Sequence, residues 1–264
     1  MRPSEFYFLA ELKEFHLSRT LCVIPARMQS TRLPQKPMAM IGDKPLVLHT
    51  YEAAKKCSTI DELVVATDHE EIAKLISKHD GRVVMTPSDL KTGSDRVAFV
   101  AKSVNCDVVI NLQGDEPFIK PQVLSELTAP FSHDPKLQMS TVASPLDWQH
   151  DYQNPDLVKA ICDQQGYALY FSRSPIPFLR QEAHKEMLPV YKHMGLYAFR
   201  KDFLLKYTKL EQTPLEQAEA LEQLRALENG VKIKVVLSEY RSVEVNTAAE
   251  LEEARAYWKR QTHR

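Results

Sequence analysis

An α/β fold with a mixed, mainly parallel central sheet and a smaller strand-rich lobe is predicted by three features of this 264-residue chain. Short apolar runs at 21–24, 63–66 and 108–110 read as strands buried on both faces. The stretches that follow the early runs have helical spacing, and strand–helix–strand is the grammar of a parallel sheet. Between 138 and 200 the strands follow one another closely, the pattern of mixed or antiparallel pairing that extends the main layer.

The first strand ends at Ala26 and hands over to Arg27-Met28-Gln29-Ser30-Thr31-Arg32-Leu33-Pro34-Gln35-Lys36-Pro37. In open α/β sheets ligands bind beyond the carboxyl ends of the strands, so Arg27, Arg32 and Lys36 are presented to an anion there. Arginine's planar fork matches phosphate oxygens, lysine adds a point charge, and the prolines restrict the loop. A stiff, solvated surface loop is the plainer alternative, and the position directly after a core strand favours phosphate.

Ile41 to Pro45 is a tight turn, Leu46 to Cys57 a helix, Leu63 to Asp68 a second strand and Glu70 to His79 a second helix. Val83 to Met85 is a short strand, and a helix is expected from Asp95 to Val104 after Thr92-Gly93-Ser94. Gly93 admits a close ligand and the helix start offers N–H groups to a base or phosphate. An ordinary helix capped by Thr92 or Ser94 accounts for the same residues.

A third buried strand, from Asp107, ends in Gln113-Gly114-Asp115-Glu116-Pro117. If it lies beside the first, Asp115 faces the cationic loop across one crevice. Magnesium is commonly held by one or two carboxylates with phosphate and water completing the shell, which makes Asp115 the candidate ligand. Glu116 points elsewhere by strand alternation. A solvent-facing acidic turn is the alternative.

Gln138 to Ser144, Leu157 to Cys162 and Tyr167 to Ser172 read as strands, and Arg173 leaves the last as a candidate carboxylate receptor. His193 to Arg200 is a strand with His193 and Tyr197 on one face, where half-buried structural roles are the ordinary reading. Pro214 to Asn229 reads as one helix, with Leu215, Ala218, Leu221 and Leu224 inward and Asn229-Gly230 as its stop. Glu222 and Gln223 lie by its margin, where solvated side chains are the economical reading. Strands Val231 to Val236 and Ser242 to Asn246, then a helix to about Lys259, complete the order, with Glu244 sharing the face of Asn246.

The formal charge of −1 provides no cationic field for non-specific nucleic-acid binding, and no basic stripe appears. Cys22, Cys57, Cys106 and Cys162 are widely spaced and read as buried thiols in a reducing, cytoplasmic compartment. No apolar run is long enough for a membrane span. Residues 1–18 are read as an amino-terminal extension and 19–264 as one domain.

Together the motifs resemble the 3-deoxy-manno-octulosonate cytidylyltransferases, or CMP-Kdo synthetases, of the three-layer nucleotide-diphospho-sugar transferase-like fold. They are Ile24-Pro25-Ala26-Arg27 with Ser30-Thr31-Arg32-Leu33-Pro34 and Lys36-Pro37, Val65-Ala66-Thr67-Asp68, Thr92-Gly93-Ser94-Asp95-Arg96 and Asn111-Leu112-Gln113-Gly114-Asp115-Glu116-Pro117. Later come Ala168-Leu169-Tyr170-Phe171-Ser172-Arg173, His193-Met194-Gly195-Leu196-Tyr197-Ala198-Phe199-Arg200 and Leu221-Glu222-Gln223-Leu224-Arg225.

The resemblance implies transfer of CMP from CTP to the anomeric hydroxyl of the acidic eight-carbon sugar Kdo, for lipopolysaccharide synthesis, by a magnesium-dependent cytoplasmic homodimer. It implies that Arg27 and Lys36, supported by Ser30 and Arg32, hold the triphosphate, and that Thr92, Gly93, Ser94 and Arg96 lie near the nucleotide. Asp115 and Asn246 hold Mg2+; Gln113, Arg173, His193, Tyr197, Glu222 and Gln223 surround the sugar. Arg27, Lys36 and Asp115 carry the chemistry, an in-line attack without a covalent enzyme intermediate. Residues 138–200 contribute acceptor-binding and dimer-contact elements.

Two positions depart from the family pattern: Gln35 replaces a common glycine, and Asn246 replaces a second metal-binding aspartate. Asn246→Asp is accordingly expected to raise apparent magnesium affinity. An amino-substituted Kdo or another acidic 2-keto sugar is the alternative acceptor, and a catalytically weakened nucleotide-binding protein the alternative to an enzyme.

Overall fold

Alternating side chains place the first apolar run at the centre of the molecule. In the computed structural model, strand β1 (Thr20–Ala26) sends Leu21 and Val23 into one apolar cluster and Cys22, Ile24 and Ala26 into another on the opposite face. Each such buried aliphatic side chain contributes about 1.5–3 kcal/mol, so β1 is held from both sides. The structure describes residues 19–29, 32–181, 185 and 187–262. The extension at 1–18 and Ser30 lie outside the described residues.

Next come a hairpin of β2 (Met40–Ile41) and β3 (Lys44–Pro45), α1 (Leu46–Ala54), β4 (Glu62–Thr67), α2 (Glu70–Lys78), β5 (Arg82–Met85), α3 (Gly93–Ala101) and β6 (Val108–Asn111). Helices α4 (Pro121–Thr128) and α5 (Pro130–His133) precede β7 (Met139–Pro145), β8 (Lys159–Cys162), β9 (Ala168–Ser172) and β10 (Val190–Arg200). The chain continues through α6 (Lys201–Tyr207), α7 (Pro214–Glu219), α8 (Leu224–Glu228), β11 (Ile233–Leu237) and α9 (Ala248–Thr262).

One nine-stranded sheet runs β11-β7-β10-β6-β1-β4-β5, with the β8–β9 hairpin joined to β10. Strands β6, β1, β4 and β5 are parallel, and β10 runs antiparallel to β6, β7 and β8. The mixed, largely parallel sheet and its small strand-rich lobe are therefore as the spacing predicts. Strand β6 lies directly beside β1, with Val23 opposite Asn111, so the loops that follow both strands open on one edge.

Three expectations change. The single helix over 214–229 is two short helices that fold back on each other: Ala220 takes the left-handed conformation (φ 52°), and Glu228 at the end of α8 accepts from Leu215 N at the start of α7. A buried ion pair between Glu216 and Arg225 closes this hairpin. Ser242 to Asn246 is not a strand; Val243 and Val245 instead pack beside α9, and the amide of Val245 donates to Asp115 O at 3.1 Å. Helices α4, α5 and α6 were not expected; the first two begin with prolines that read as loop signals but suit a helix's first turn. The four cysteines are free and buried. No helix among the described residues is long and apolar enough to cross a membrane.

Candidate active site

At the carboxyl ends of β1 and β6 a cleft of about 920 Å3 opens between the two loops. Arg27, Arg32 and Lys36 line one wall, Gln113 and Asp115 the other, and Asp68, His69 and Ser88 lie further along. The basic loop bends at Gln35, whose φ of 54° is left-handed. That conformation disfavours a side chain by about 1–2 kcal/mol, which explains why glycine suits the position. Arg27 reaches the carbonyl of Lys91 at 3.3 Å and remains exposed.

Lys36 joins the two walls. Its Nζ donates to Asp115 Oδ2 at 2.7 Å and to Asn246 Oδ1 at 3.1 Å, while Arg32 Nη2 donates to the same Asn246 oxygen at 3.2 Å. Asn246 is brought there by α9, whose start is a capping arrangement: Glu250 Oε2 accepts from Asn246 N and Thr247 N at 2.7 and 2.8 Å. Helix α9 is seated in turn by Trp258 against Gly42 (φ +61°), where a Cβ would lie 2.4 Å from the indole.

Asp115 and Asn246 thus already share one cation, an ammonium, through two hard oxygens, and such a donor pair fits Mg2+. Among the described residues no group of three or more His, Cys, Asp or Glu is placed to hold a metal, so an ion bound by this pair would need phosphate and water to complete its shell.

Glu116 turns away from the cleft, is 4% exposed, and accepts from Ser242 Oγ at 2.6 Å. Burial, and then Glu244, push its carboxyl up to about 8. Burial and then Asp115 also raise Glu244. Because the folded protein retains the Glu116 proton that the unfolded chain releases, the resulting stability is complete below the ordinary carboxylate range and is lost as pH rises through about 8. The Tm should therefore fall between pH 5 and 9, and Glu116→Gln, which imitates the neutral acid, should flatten that slope. Melting curves across this range provide the check; an unchanged slope in the variant refutes the assignment.

Behind the cleft a polar chain runs inward. Gln113 Nε2 donates to Asn111 Oδ1 at 2.9 Å and Asn111 Nδ2 donates to Ser94 Oγ at 3.3 Å, with Glu222 close enough for the Ser94 hydroxyl to favour its charged form. Gly114 gives the β6 loop room beside β1, since a Cβ there would approach Pro25 O to 3.2 Å. Gly93 faces the Gln113 amide with space for ordinary contact. Thr92 is committed to capping α3, accepting from Asp95 N at 3.1 Å.

Tyr197 pairs with Asn111 across β10 and β6, and its hydroxyl is held protonated by burial and by Glu222. His193 packs edge-on to Phe171, and burial lowers it to about 3, so the ring is neutral. Its Nε2 lies 2.8 Å from Thr141 Oγ1, which also bonds the Leu196 carbonyl at 2.8 Å where β10 bulges. Burial raises Glu222 as well. Gln223 is 2% exposed, and its Nε2 has no hydrogen-bond partner among the described residues.

Of the expected site residues, Thr92, Gly93, Ser94, Arg96, Arg173, His193, Tyr197, Glu222, Gln223 and Asn246 are not among those that line this cavity, and two of them are arginines taken up by other partners. Arg96 is fully buried, bonded to Thr86 and to Asp68 Oδ2 at 3.0 Å, so it ties together two segments behind the cleft wall without facing the cavity. Arg173 Nε and Nη1 donate to the carbonyls of Glu219 (2.9 Å) and Pro155 (3.2 Å), outside the cavity lining. Asp68, His69 and Ser88 were not singled out from the sequence as cleft residues. Asp68 was legible in principle, since it directly follows a core strand as Arg27 does.

The Cytidylyltransferase family model matches residues 21–233. The 3-deoxy-manno-octulosonate cytidylyltransferase of Acaryochloris marina is 48% identical over 238 residues, covering 90% of this chain and 96% of that protein. The enzyme of the same name from Geobacter sulfurreducens is 45% identical, covering 87% and 95%. A solved CMP:2-keto-3-deoxy-manno-octonic acid synthetase complexed with CTP superposes with a TM-score of 0.87 at 38% identity, covering 92% of this chain and 100% of that one. With similarity of this extent in both sequence and fold, the chain belongs to the 3-deoxy-manno-octulosonate cytidylyltransferase (CMP-Kdo synthetase) family.

Proposed function

We propose that this cytidylyltransferase joins its substrates in the cleft between the β1 and β6 loops, transferring CMP from CTP to the anomeric hydroxyl of Kdo with release of pyrophosphate. The observation that carries the reading is the convergence of Lys36, Asp115 and Asn246 beside Arg27 and Arg32. A nucleoside triphosphate and a sugar acid are both anions, and bringing them together requires fixed positive charge. Arg27 and Lys36, with Arg32, neutralise the triphosphate and orient its α-phosphorus for in-line attack. When bound by Asp115, Asn246 and phosphate oxygens, Mg2+ supplies further charge neutralisation and fixes the phosphate geometry.

Gln113, on the inner polar chain, with Tyr197, Glu222 and Gln223, would surround the acceptor, and neutral His193 would serve as a hydrogen-bonding group with no charge of its own. Arg173 would join them only by leaving its bonds to Glu219 and Pro155. Arg96 supports the nucleotide wall through Asp68. The protein works in the cytoplasm as a homodimer for lipopolysaccharide synthesis, with 138–200 contributing acceptor and dimer contacts, and binds no nucleic acid.

Pyrophosphate release from CTP, with and without Kdo and Mg2+, tests this reading. Release is expected only with all three components. Equal or better turnover of an amino-substituted Kdo or another 2-keto sugar acid would reassign the acceptor. CTP binding without turnover of any acceptor would make the chain a weakened nucleotide-binding protein.

A further inference from the structure

We propose that Glu244 is a positioning residue of the cation site, holding the Asn246 amide with its carbonyl towards Asp115. This rests on the reading of the cleft as a CTP site that takes a divalent cation. The two ends of an amide have nearly the same shape, so their partners decide which end faces inward. Asn246 Oδ1 accepts from Lys36 and Arg32, while Nδ2 donates to Glu244 Oε2 at 3.2 Å.

In the free protein the two cations and the carboxylate enforce the same orientation. A triphosphate in the cleft offers Lys36 and Arg32 stronger acceptors, and Glu244 is then the side chain that keeps the carbonyl inward. A reversed amide would turn an NH2 group, which is not a ligand, towards the metal. The Asn246 backbone does not correct this, because Glu250 fixes its N–H and leaves the side-chain amide free to rotate. Partners one shell out from a metal orient its ligands in this way and tune their strength.

The roles of charge and orientation separate in a double-mutant cycle. The full chain, with CTP present, is titrated with Mn2+ as a paramagnetic stand-in for Mg2+, and free Mn2+ is read by electron paramagnetic resonance. In the otherwise unaltered protein Glu244→Gln is expected to weaken cation binding about tenfold. In an Asn246→Asp background, which has no N–H to donate and places two carboxylates together, Glu244→Gln is expected to leave binding unchanged or to tighten it. Equal weakening in both backgrounds would show a long-range charge effect and overturn the proposal, as would no weakening in the first. Absence of CTP-dependent Mn2+ binding by the unaltered protein would instead overturn the cation-site reading beneath it. Glu244 is exposed, so all four proteins should melt within about 2 °C of one another, surface changes being near neutral.

Discussion

Lys36→Ala should lower kcat/KM for CTP by about a hundred- to a thousandfold, the usual loss when one preorganised donor to a developing phosphate charge is removed. Lys36 is the one side chain among the described residues bonded to both Asp115 and Asn246, and it is only partly exposed. Its removal takes a positive charge from the triphosphate and, in the free protein, releases Asp115 Oδ2 and leaves Asn246 Oδ1 to Arg32. Cation binding without CTP should therefore hold or tighten while turnover collapses. Lys36→Arg should rescue poorly, since a planar fork does not replace a point charge between two oxygens. Steady-state pyrophosphate release combined with cation titration checks both halves; a loss below tenfold, or weaker cation binding in the free protein, contradicts this account.

Glu216→Ala should destabilise the fold by about 3–5 kcal/mol, because it strands a buried guanidinium. Arg225 donates to Glu216 at 2.5 and 2.8 Å, both residues are buried, and the guanidinium lies over the Tyr207 ring. The pair closes the α7–α8 hairpin, and the Tyr207 hydroxyl holds the Glu222 carbonyl at 2.6 Å inside that turn. If Glu222 and Gln223 bind the acceptor as proposed, the variant should also raise KM for Kdo more than KM for CTP. Replacing both partners, Glu216→Leu with Arg225→Met, should be less harmful than either single change, since no charge is left unpaired. Urea unfolding of the three proteins decides this; a double variant as unstable as Glu216→Ala would mean that packing, and not the stranded charge, dominates.

Much of the cleft wall was legible because its signals are local. Arg27, Arg32, Lys36, Gln113 and Asp115 each follow an apolar run, and the rule that ligands gather beyond strand ends needs only that those runs be parallel neighbours. The acceptor side was less legible from residue pattern. His193 and Tyr197 alternate along β10 as read, but Pro214 to Asn229 has helical spacing throughout, and nothing in that spacing marks the left-handed turn at Ala220. Glu216 and Arg225 would lie apart along one continuous helix; they meet only because the chain folds back.

Local pattern carries the mixed, largely parallel character of the sheet, the two loops at its edge and the charges they bear, since strand burial and loop composition are written in neighbouring residues; the departure of 242–246 from strand is not so written. Tertiary structure alone decided that Asn246 meets Asp115 and Lys36, that Arg96 and Arg173 turn to structural partners, and that Glu222 and Gln223 sit in a turn. The first depends on α9 docking through Trp258 against Gly42, the second on Asp68 for Arg96 and on Glu219 and Pro155 for Arg173, and the last on an ion pair closed across a reversed helix, contacts between residues apart in the chain whose energies no local pattern encodes.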